Sequence, residues 1–279
     1  MVKKVVLTGS LGFLGRNVAE FLKGKGFFII PFDKKNKQDL LDDNNLKKAL
    51  KNADFVCHLA AVGDVYLAAE NPKEAAISGA GGTANLLHLA QKFNVKKIIY
   101  ASTWEVYGKV EYEPIDEQHP CFPDHPYSIA KYAGELFLRS KLARTPWIIL
   151  RLGTAYGNFM RRNAVIPHFI NKAKRSEKIT IMGDGSQKRQ FTHAKDIANA
   201  FYLSIEESIE NEVFNITSEN SITIKELAEE IIKHYPTKIE YLPPREGDIK
   251  SAKVSAQKAK KVLSWEAKIP FKKGLLELL

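Results

Sequence analysis

Short apolar runs alternate with helical segments through the first half of this chain. The runs cover residues 5–7, 28–32, 55–59, 98–101 and 148–150. Between them, apolar residues recur at intervals of three and four, which is the spacing of one helix face. Strands separated by helices run parallel and bury both faces of their sheet. The alternation therefore predicts an α/β fold with a doubly wound parallel sheet.

A glycine-rich loop lies between the first run and the first helical segment. Gly9, Gly12 and Gly15 form the pattern G-x-x-G-x-x-G there. Glycines let the backbone approach a pyrophosphate, whose charge the N-terminus of a helix favours. The alternative is a flexible turn, but the strand before and the helix after favour a Rossmann-type dinucleotide site. The loop is predicted to bind the cofactor through Gly9, Leu11, Gly12, Phe13, Leu14 and Gly15.

Asp33 ends the second apolar run, where the acidic residue of a dinucleotide site is expected. Its side chain would accept hydrogen bonds from the adenosine ribose and repel a 2′-phosphate. This position predicts NAD as the cofactor. Lys34 and Lys35 follow immediately and would favour a 2′-phosphate, so NADP stays an alternative.

Tyr127 and Lys131 are four residues apart, on one face of a helix predicted to run to about residue 141. Isolated pairs of this kind occur by chance on solvated helices. Here Ser102 and Thr103 come at the end of the strand at 98–101, and the carboxyl ends of parallel strands are where α/β folds place chemistry. A nearby ammonium lowers the pKa of a phenol, so Lys131 would make Tyr127 a better base. We predict Tyr127, Lys131 and Thr103 to be catalytic.

The pattern changes after about residue 152. A short strand is predicted at 179–182, Thr223 and Glu226 form a capping box that opens a helix to 235, and two prolines at 243–244 break the chain. We predict a dinucleotide-binding Rossmann domain over 1–152, with a segment around 187–215 returning to it. Residues 153–279 are predicted to form mainly a smaller mixed α/β domain that binds the substrate.

The chain carries a formal net charge of +10, from 42 Lys and Arg against 32 Asp and Glu. The cations are scattered rather than clustered with aromatic residues, which favours a solvated surface over a nucleic-acid partner. No apolar stretch approaches the length of a membrane span, and the two cysteines show neither a disulfide framework nor a metal-binding spacing. We expect a reduced, cytoplasmic protein with no metal.

An ordered set of motifs resembles the extended short-chain dehydrogenase/reductase family, in its NAD-dependent nucleotide-sugar epimerase and dehydratase branch. Besides the glycine loop and the Tyr-x-x-x-Lys pair, the motifs are His58-Leu59-Ala60-Ala61, Gly82-Thr83-x-Asn85-Leu86-Leu87, Ser102-Thr103-Trp104-Glu105-Val106-Tyr107-Gly108, Gly183-Asp184-Gly185-Ser186-Gln187-Lys188-Arg189 and Arg245-Glu246-Gly247-Asp248. The resemblance covers nearly the whole chain.

The resemblance implies roles for residues outside the first two motifs. Along the cofactor it places Tyr127 and Lys131 together with Asp39, Leu40, Leu59, Ala60, Ala61 and Ala101. Near the substrate it places Thr103, Glu105, Thr154, Arg189, Arg245 and Ala252, with the two arginines holding a diphosphate. The alternative for each arginine is an ordinary surface position. The resemblance also implies a homodimer, formed through the helices near 72–92 and 127–141.

Departures from the family pattern narrow the reaction. Gly79 and Thr154 stand where the family usually has Asn, and Trp104 stands where dehydratases have an acid and decarboxylases commonly have Ser. Tryptophan cannot donate the proton that dehydration requires. Glu105 is left as either a second base or a carboxylate that anchors its loop.

The sequence thus predicts NAD-dependent 4-epimerisation of a UDP-sugar, UDP-glucose or UDP-galactose, through a 4-keto intermediate. Ala252, in the wall beside the sugar, would leave space for the 2-acetamido group of the N-acetyl forms. A nucleotide-sugar decarboxylase or dehydratase, a simple sugar dehydrogenase and a non-catalytic NAD-binding protein are the alternatives, since a fold does not fix a function.

Overall fold

A computed structural model describes residues 2–141, 143–244 and 252–279. Arg245 and the rest of the Arg-x-Gly-Asp motif lie outside the described residues. The strands are β1 (Lys4–Thr8), β2 (Phe28–Phe32), β3 (Phe55–His58), β4 (Lys97–Thr103), β5 (Trp147–Leu152), β6 (Thr154–Tyr156), β7 (Ile179–Met182), β8 (Lys188–Arg189), β9 (Phe191–His193), β10 (Glu212–Ile216), β11 (Ile222–Thr223) and β12 (Ile239–Leu242).

The helices are α1 (Phe13–Gly24), α2 (Asp43–Leu50), α3 (Val65–Glu70), α4 (Pro72–Ala76), α5 (Gly82–Lys92), α6 (Pro126–Leu138), α7 (Val165–Lys174), α8 (Ala194–Glu206), α9 (Ile224–Ile232), α10 (Gln257–Val262) and α11 (Phe271–Leu276). A π-helical turn, Ile77–Gly81, joins α4 to α5, and 3₁₀ turns follow β2 at Lys34–Asn36 and β4 at Trp104–Tyr107.

Six strands form one parallel sheet in the order β10-β5-β4-β3-β1-β2. The predicted α/β class with a doubly wound parallel sheet is confirmed. The chain moves from β1 to β2 on one side, and then from β3 to β10 on the other. The order therefore reverses between β1 and β3, and the crevice beside the carboxyl ends of these strands is where such sheets bind ligands.

The sheet is covered on both faces because successive residues of each strand point to opposite sides. Val5 and Leu7 of β1 belong to a buried cluster that includes residues of α1 and α8. Val6, between them, belongs to a second cluster with residues of α2 and α5. Continuous apolar strands such as β1 are what a sheet buried on both faces requires.

The second half of the chain divides between the sheet and a smaller unit. α8 packs on α1, and β10 pairs with β5 at the edge of the sheet. The smaller unit contains α7, α9 and the β7–β12 pair, which share a buried cluster. The 153–279 region therefore supplies β10 and α8, within or next to the segment predicted to return, and also α10, which packs on β10.

Three predicted boundaries differ from the structure. β4 continues through Ser102 and Thr103, which pair with β5, so the strand ends at Thr103 rather than at 101. α6 ends at Leu138 rather than near 141, because the Ser140 amide bonds the Phe137 carbonyl and tightens the last turn. α9 ends at Ile232 rather than 235, because Pro236 disfavours helical backbone in the residue before it.

The outer face of α6 carries exposed apolar side chains at Ile129, Leu136 and Phe137. This face lies within one of the two segments through which the resemblance implies a homodimer. The dimer stays a prediction, which sedimentation equilibrium would test. Within the described ranges, none of the helices has both the length and the apolar character needed to cross a membrane.

Candidate active site

The glycine loop turns tightly between β1 and α1. Gly9 has a φ of +68°, which a residue with a side chain rarely adopts. A Cβ at Gly15 would lie 2.0 Å from the Gly9 carbonyl oxygen, so helix and loop pack through glycine alone. Gly12 is the N-cap of α1, and no described side chain caps the helix there. The first amide groups of α1 are therefore available to a phosphate.

The second predicted cofactor segment, Leu59 to Ala61, lies beside this loop. The Leu59 and Ala60 amides donate to the Thr8 hydroxyl over 3.1 and 3.2 Å. A Cβ at Gly9 would lie 2.9 Å from the Ala60 nitrogen, so the two backbones are in contact. The Ser10 hydroxyl is buried without a hydrogen-bond partner among the described residues. The glycine loop leaves its backbone open to a phosphate, and the buried Ser10 hydroxyl has no partner among the described residues. Both features fit a dinucleotide site.

Asp33 holds the glycine loop as well as facing the expected ribose position. Its carboxylate accepts hydrogen bonds from the Leu11 amide (2.8 Å) and the Lys35 amide (2.9 Å). The Lys34 ammonium pairs with Glu74 over 2.8 Å, on the surface. One of the two cations that would favour NADP is therefore engaged elsewhere.

Asp39 and Leu40, predicted near the adenine, follow the same strand. Leu40 is buried against Gly82, where a Cβ would lie 2.9 Å from the leucine side chain. Asp39 accepts a hydrogen bond from the Leu41 amide. Their contact with the adenine stays a prediction.

Replacing Asp33 with Ala is expected to weaken NAD binding by about 10- to 100-fold, because hydrogen bonds to a charged group contribute roughly 1.5–3 kcal/mol. Asp33→Asn keeps an acceptor for the Leu11 amide but removes the charge, so it should narrow the preference for NAD over NADP with a smaller loss. Calorimetric titration of both cofactors measures this. Tighter binding of NADP than of NAD by the unmodified protein would contradict the assignment.

The three predicted catalytic residues come together at the carboxyl end of β4. Thr103 is the last residue of β4, and Tyr127 and Lys131 lie one turn apart in α6. The Thr103 hydroxyl accepts from the Glu105 amide over 3.3 Å, and α6 packs against β4 and the turn that follows it. The Lys131 ammonium donates to the Ala101 carbonyl over 2.7 Å. The helix and the strand thus hold phenol, hydroxyl and ammonium in one place.

The charges around Tyr127 differ from the predicted arrangement. Burial raises the pKa of Tyr127, and the negative Glu105 raises it further, whereas the Thr103 hydroxyl and the positive Arg161 lower it. Burial lowers the pKa of Lys131 to about 8, against the attraction of Glu135. Lys131 was predicted to be the activating cation; its ammonium donates to the Ala101 carbonyl, and its effect on Tyr127 stays a prediction.

Glu105 reaches the start of the catalytic helix. Its Oε2 lies 3.2 Å from Nε2 of His125, the N-cap of α6. The His125 ring is parallel to that of Tyr127, with centroids 6.0 Å apart, and its Nδ1 accepts from the Ser128 amide. Glu105 raises the pKa of His125. These contacts favour the anchoring role for Glu105, and His125 is a site residue that the sequence reasoning missed.

A buried ion pair fixes the other end of the site. Glu135, one turn beyond Lys131, bonds Arg151 of β5 through both carboxylate oxygens, and both side chains are inaccessible to solvent. The Ser102 hydroxyl donates to the same carboxylate. This pair ties α6 to β4 and β5. The sequence reasoning assigned no role to either residue.

Several of the substrate candidates line one small pocket, a cleft that is partly open to solvent. Thr154 of β6, Arg189 of β8 and Ala252 line it together with Trp104. The structure thus brings together three of the predicted substrate residues, which are far apart in the sequence. It places them around Trp104, the residue that follows Thr103 in the chain. Arg245, predicted to share the diphosphate, is outside the described residues.

Arg161 lies in the loop after β6 and was also missed by the sequence reasoning. It forms an ion pair with Asp64, and its side chain is half exposed. Asp64 caps α3 by accepting from the Tyr66 and Leu67 amides. Arg161 is therefore held by Asp64, while part of its side chain faces solvent.

A doubly wound parallel sheet, a glycine cradle at its switch point and a Tyr-Lys pair beside it define a Rossmann enzyme of the short-chain dehydrogenase type. The model of the NAD dependent epimerase/dehydratase family matches residues 5–217, and the chain belongs to this family. NAD is the cofactor of the family, as Asp33 predicted.

Similar proteins include several that act on nucleotide sugars. UDP-glucuronate 4-epimerase of Thermodesulfobacterium geofontis is 32% identical over 97% of this chain and 93% of its own. The structure of UDP-N-acetylglucosamine 4-epimerase from Methanobrevibacter ruminantium M1, in complex with UDP-N-acetylmuramic acid, has a TM-score of 0.92, 31% identity and coverage of 99% and 96%. MoeE5 in complex with UDP-glucuronic acid and NAD has a TM-score of 0.90, 26% identity and coverage of 98% and 97%.

Relatives of comparable similarity catalyse other reactions. They include a mouse dTDP-D-glucose 4,6-dehydratase, 28% identical, and a UDP-N-acetyl-alpha-D-glucosaminuronate decarboxylase of Bacillus cytotoxicus, 30% identical. Similarity therefore gives the family and the cofactor, and the residues of the site must select the reaction.

Proposed function

We propose that this protein is an NAD-dependent 4-epimerase of a UDP-sugar, with UDP-glucose and UDP-galactose as the plain substrates. The observation that carries the proposal is the placement of Thr103 at the end of β4 against α6, which carries Tyr127, with Trp104 as the next residue. A phenol and a hydroxyl suffice to move the proton of a sugar hydroxyl, whereas dehydration needs a further acid, which Trp104 cannot be.

The residues of the chain divide the proton chemistry among them. Thr103 holds the sugar 4-hydroxyl against the Tyr127 oxygen, and Tyr127 takes its proton in one direction and returns it in the other. Arg161 and Thr103 favour the phenolate that this requires. Bound NAD supplies a reversible acceptor for the hydride of carbon 4. A positioned acid or base of this kind contributes about 10²- to 10⁴-fold to a rate.

The product of the reaction tests the proposal. Purified protein is incubated with NAD and a panel of UDP-, GDP- and dTDP-sugars, and the products are analysed by mass spectrometry and NMR. Epimerisation gives an isomer of equal mass with no net NADH absorbance. Loss of water or of carbon dioxide would assign a dehydratase or a decarboxylase, and stoichiometric NADH would assign a simple dehydrogenase.

Replacing Arg189 with Ala is expected to weaken UDP binding by roughly 1.5–3 kcal/mol, because guanidinium groups bind phosphate oxygens through charged hydrogen bonds. Isothermal titration with UDP measures the loss. Arg175→Ala, in an exposed arginine at the end of α7, serves as the matched control and should leave UDP affinity unchanged. If the two variants bind UDP equally well, the diphosphate lies elsewhere.

A UDP-uronic acid is the second candidate substrate, and Arg161 favours it. A half-exposed guanidinium near Tyr127 is suited to the carboxylate on carbon 6 of such a sugar. The UDP-glucuronate 4-epimerase among the relatives is consistent with this. Arg161→Gln should then reduce turnover of UDP-glucuronate at least about tenfold more than that of UDP-glucose, which loses only the effect of Arg161 on the phenol. Arg162→Gln is the neighbouring control, and equal losses on both sugars would limit Arg161 to the phenol and to anchoring Asp64.

A further inference from the structure

Trp104 occupies a position that the proton chemistry does not use. It follows Thr103 directly and opens the 3₁₀ turn Trp104–Tyr107. Its partly buried indole packs against the buried cluster of Tyr107, Ile115 and Val254, and Ala252 packs against the same cluster. Trp104 and Ala252 also line the same pocket. A large flat side chain and a small one, distant in the sequence, therefore bound one space.

The neighbours of Trp104 indicate what this space would hold. Arg189 lines the pocket, and Thr103, the residue before Trp104, ends β4 where α6 packs on it. A sugar joined to a diphosphate at Arg189, with a hydroxyl at Thr103, has to lie between these two points. The wall it meets there is the indole of Trp104.

The segment that carries Ala252 is held firmly. The Val254 amide donates to the Gln190 side chain over 2.7 Å, and the Gln190 amide group donates to the Val254 carbonyl over 3.0 Å. The Ile115 amide donates to the Lys253 carbonyl over 2.7 Å. Because this wall is tied to two other segments, the sizes of the side chains at 104 and 252 set the width of the pocket.

We propose that Trp104 is the specificity-determining wall of the sugar subsite, packing its indole against the pyranose, with Ala252 leaving the room for a substituent on that ring. The proposal rests on the proposed substrate class of nucleotide sugars. It changes the sequence prediction, which gave Ala252 alone this role. Aromatic side chains offer a large, rigid contact area, which suits the apolar face of a sugar ring.

Binding to NAD-loaded protein tests the role of Trp104. UDP, UDP-glucose and UDP-N-acetylglucosamine are titrated calorimetrically into the unmodified protein, Trp104→Ala and Trp104→Phe. Trp104→Ala should weaken UDP-glucose binding by about tenfold or more and leave UDP within about twofold, since UDP lacks the sugar. Trp104→Phe should retain most of the affinity. The acetamido sugar should lose less than UDP-glucose in Trp104→Ala, because its extra group fills vacated space.

Two comparisons separate contact from folding. Trp147→Phe, at the start of β5 and the opposite end of the sheet, should leave all three affinities unchanged. If Trp104→Ala fails to fold, fluorescence titrations of the unmodified protein and of Trp104→Phe decide. UDP-glucose, but not UDP, should change the emission of the unmodified protein, and this change should be absent from Trp104→Phe. Equal weakening of UDP and UDP-glucose, or no weakening of either, would overturn the proposal.

The Ala252 side of the pocket provides an independent check. Ala252→Tyr should reduce binding of UDP-N-acetylglucosamine much more than that of UDP-glucose, because overpacking acts on the larger ligand. The double variant with Trp104→Ala should lose less binding free energy than the sum of the losses in the two single variants, since neighbouring sites are coupled. Simple additivity would show that the two residues do not share one space.

These measurements distinguish the failure of this inference from failure of the proposed function. Sugar-selective binding at Trp104 would stand even if product analysis assigned a dehydratase or a decarboxylase. Epimerisation with no sugar-selective effect of Trp104 would leave the function intact and overturn the inference. Failure of the unmodified protein to bind any UDP-sugar would overturn both.

Discussion

Tyr127→Phe is expected to abolish turnover of the nucleotide sugar while leaving NAD affinity within a few-fold. The substitution removes one oxygen atom, the one proposed to take the proton of the sugar hydroxyl. Loss of a positioned base reduces a rate by about 10²- to 10⁴-fold. The phenol acts on the substrate and the ring stays in place beside His125, so the cofactor site should keep its shape.

The measurement is a steady-state assay on the substrate identified from the product panel, with calorimetric titration of NAD beside it. Tyr132→Phe, in the same helix, is the matched control and should keep nearly full activity. A Tyr127→Phe variant that retains more than about a tenth of the rate would remove Tyr127 from the mechanism. A parallel collapse of NAD affinity would assign it to the cofactor site instead.

The sheet and the cofactor loop were predictable because their determinants are local. Val5 to Leu7 form a continuous apolar strand. Only glycine fits at the two positions that follow, because Gly9 has a positive φ and Gly15 packs directly on the Gly9 backbone. Asp33 could be placed from its distance to that loop. Each of these features depends on residues that are close together in the sequence or on a fixed spacing.

The remaining features depend on partners that the fold brings together from distant parts of the chain. Arg161 meets Asp64, and Arg151 meets Glu135, through tertiary contacts alone. His125 caps a helix, a position where Ser, Thr, Asp and Asn are the expected residues, so the capping pattern did not reveal it. Trp104 could be excluded as an acid from its chemistry, but its place beside Ala252 required the fold.

Lys131 was predicted as a site residue from the sequence, but its surroundings required the fold. Its ammonium is almost fully buried and bonds the Ala101 carbonyl. Burial lowers its pKa from 10.5 to about 8. Because each pKa unit corresponds to about 1.4 kcal/mol, holding the charged form in the folded protein at pH 7 costs roughly 3 kcal/mol.

Lys131→Met is therefore expected to make the protein more stable and nearly inactive. Methionine has similar length and no charge, so the burial penalty disappears, while the lost hydrogen bond to Ala101 offsets about 1 kcal/mol of the gain. We expect the free energy of unfolding at pH 7 to rise by about 2 kcal/mol. Turnover should fall by about 100-fold or more, because the variant lacks the ammonium that is predicted to activate Tyr127.

The pH dependence distinguishes this explanation from a general packing effect. The pKa of Lys131 is lower in the folded than in the unfolded state, so the unfolded state binds the extra proton between about pH 8 and 10.5. The stability difference between variant and unmodified protein should be full below pH 8, shrink across this window and, apart from the Ala101 hydrogen bond, vanish above it. Urea unfolding at pH 7, 9 and 10.5 measures it, with the exposed Lys23→Met as control. A variant that is less stable at pH 7, or a difference that does not change with pH, would show that the Lys131 ammonium is not destabilised by burial.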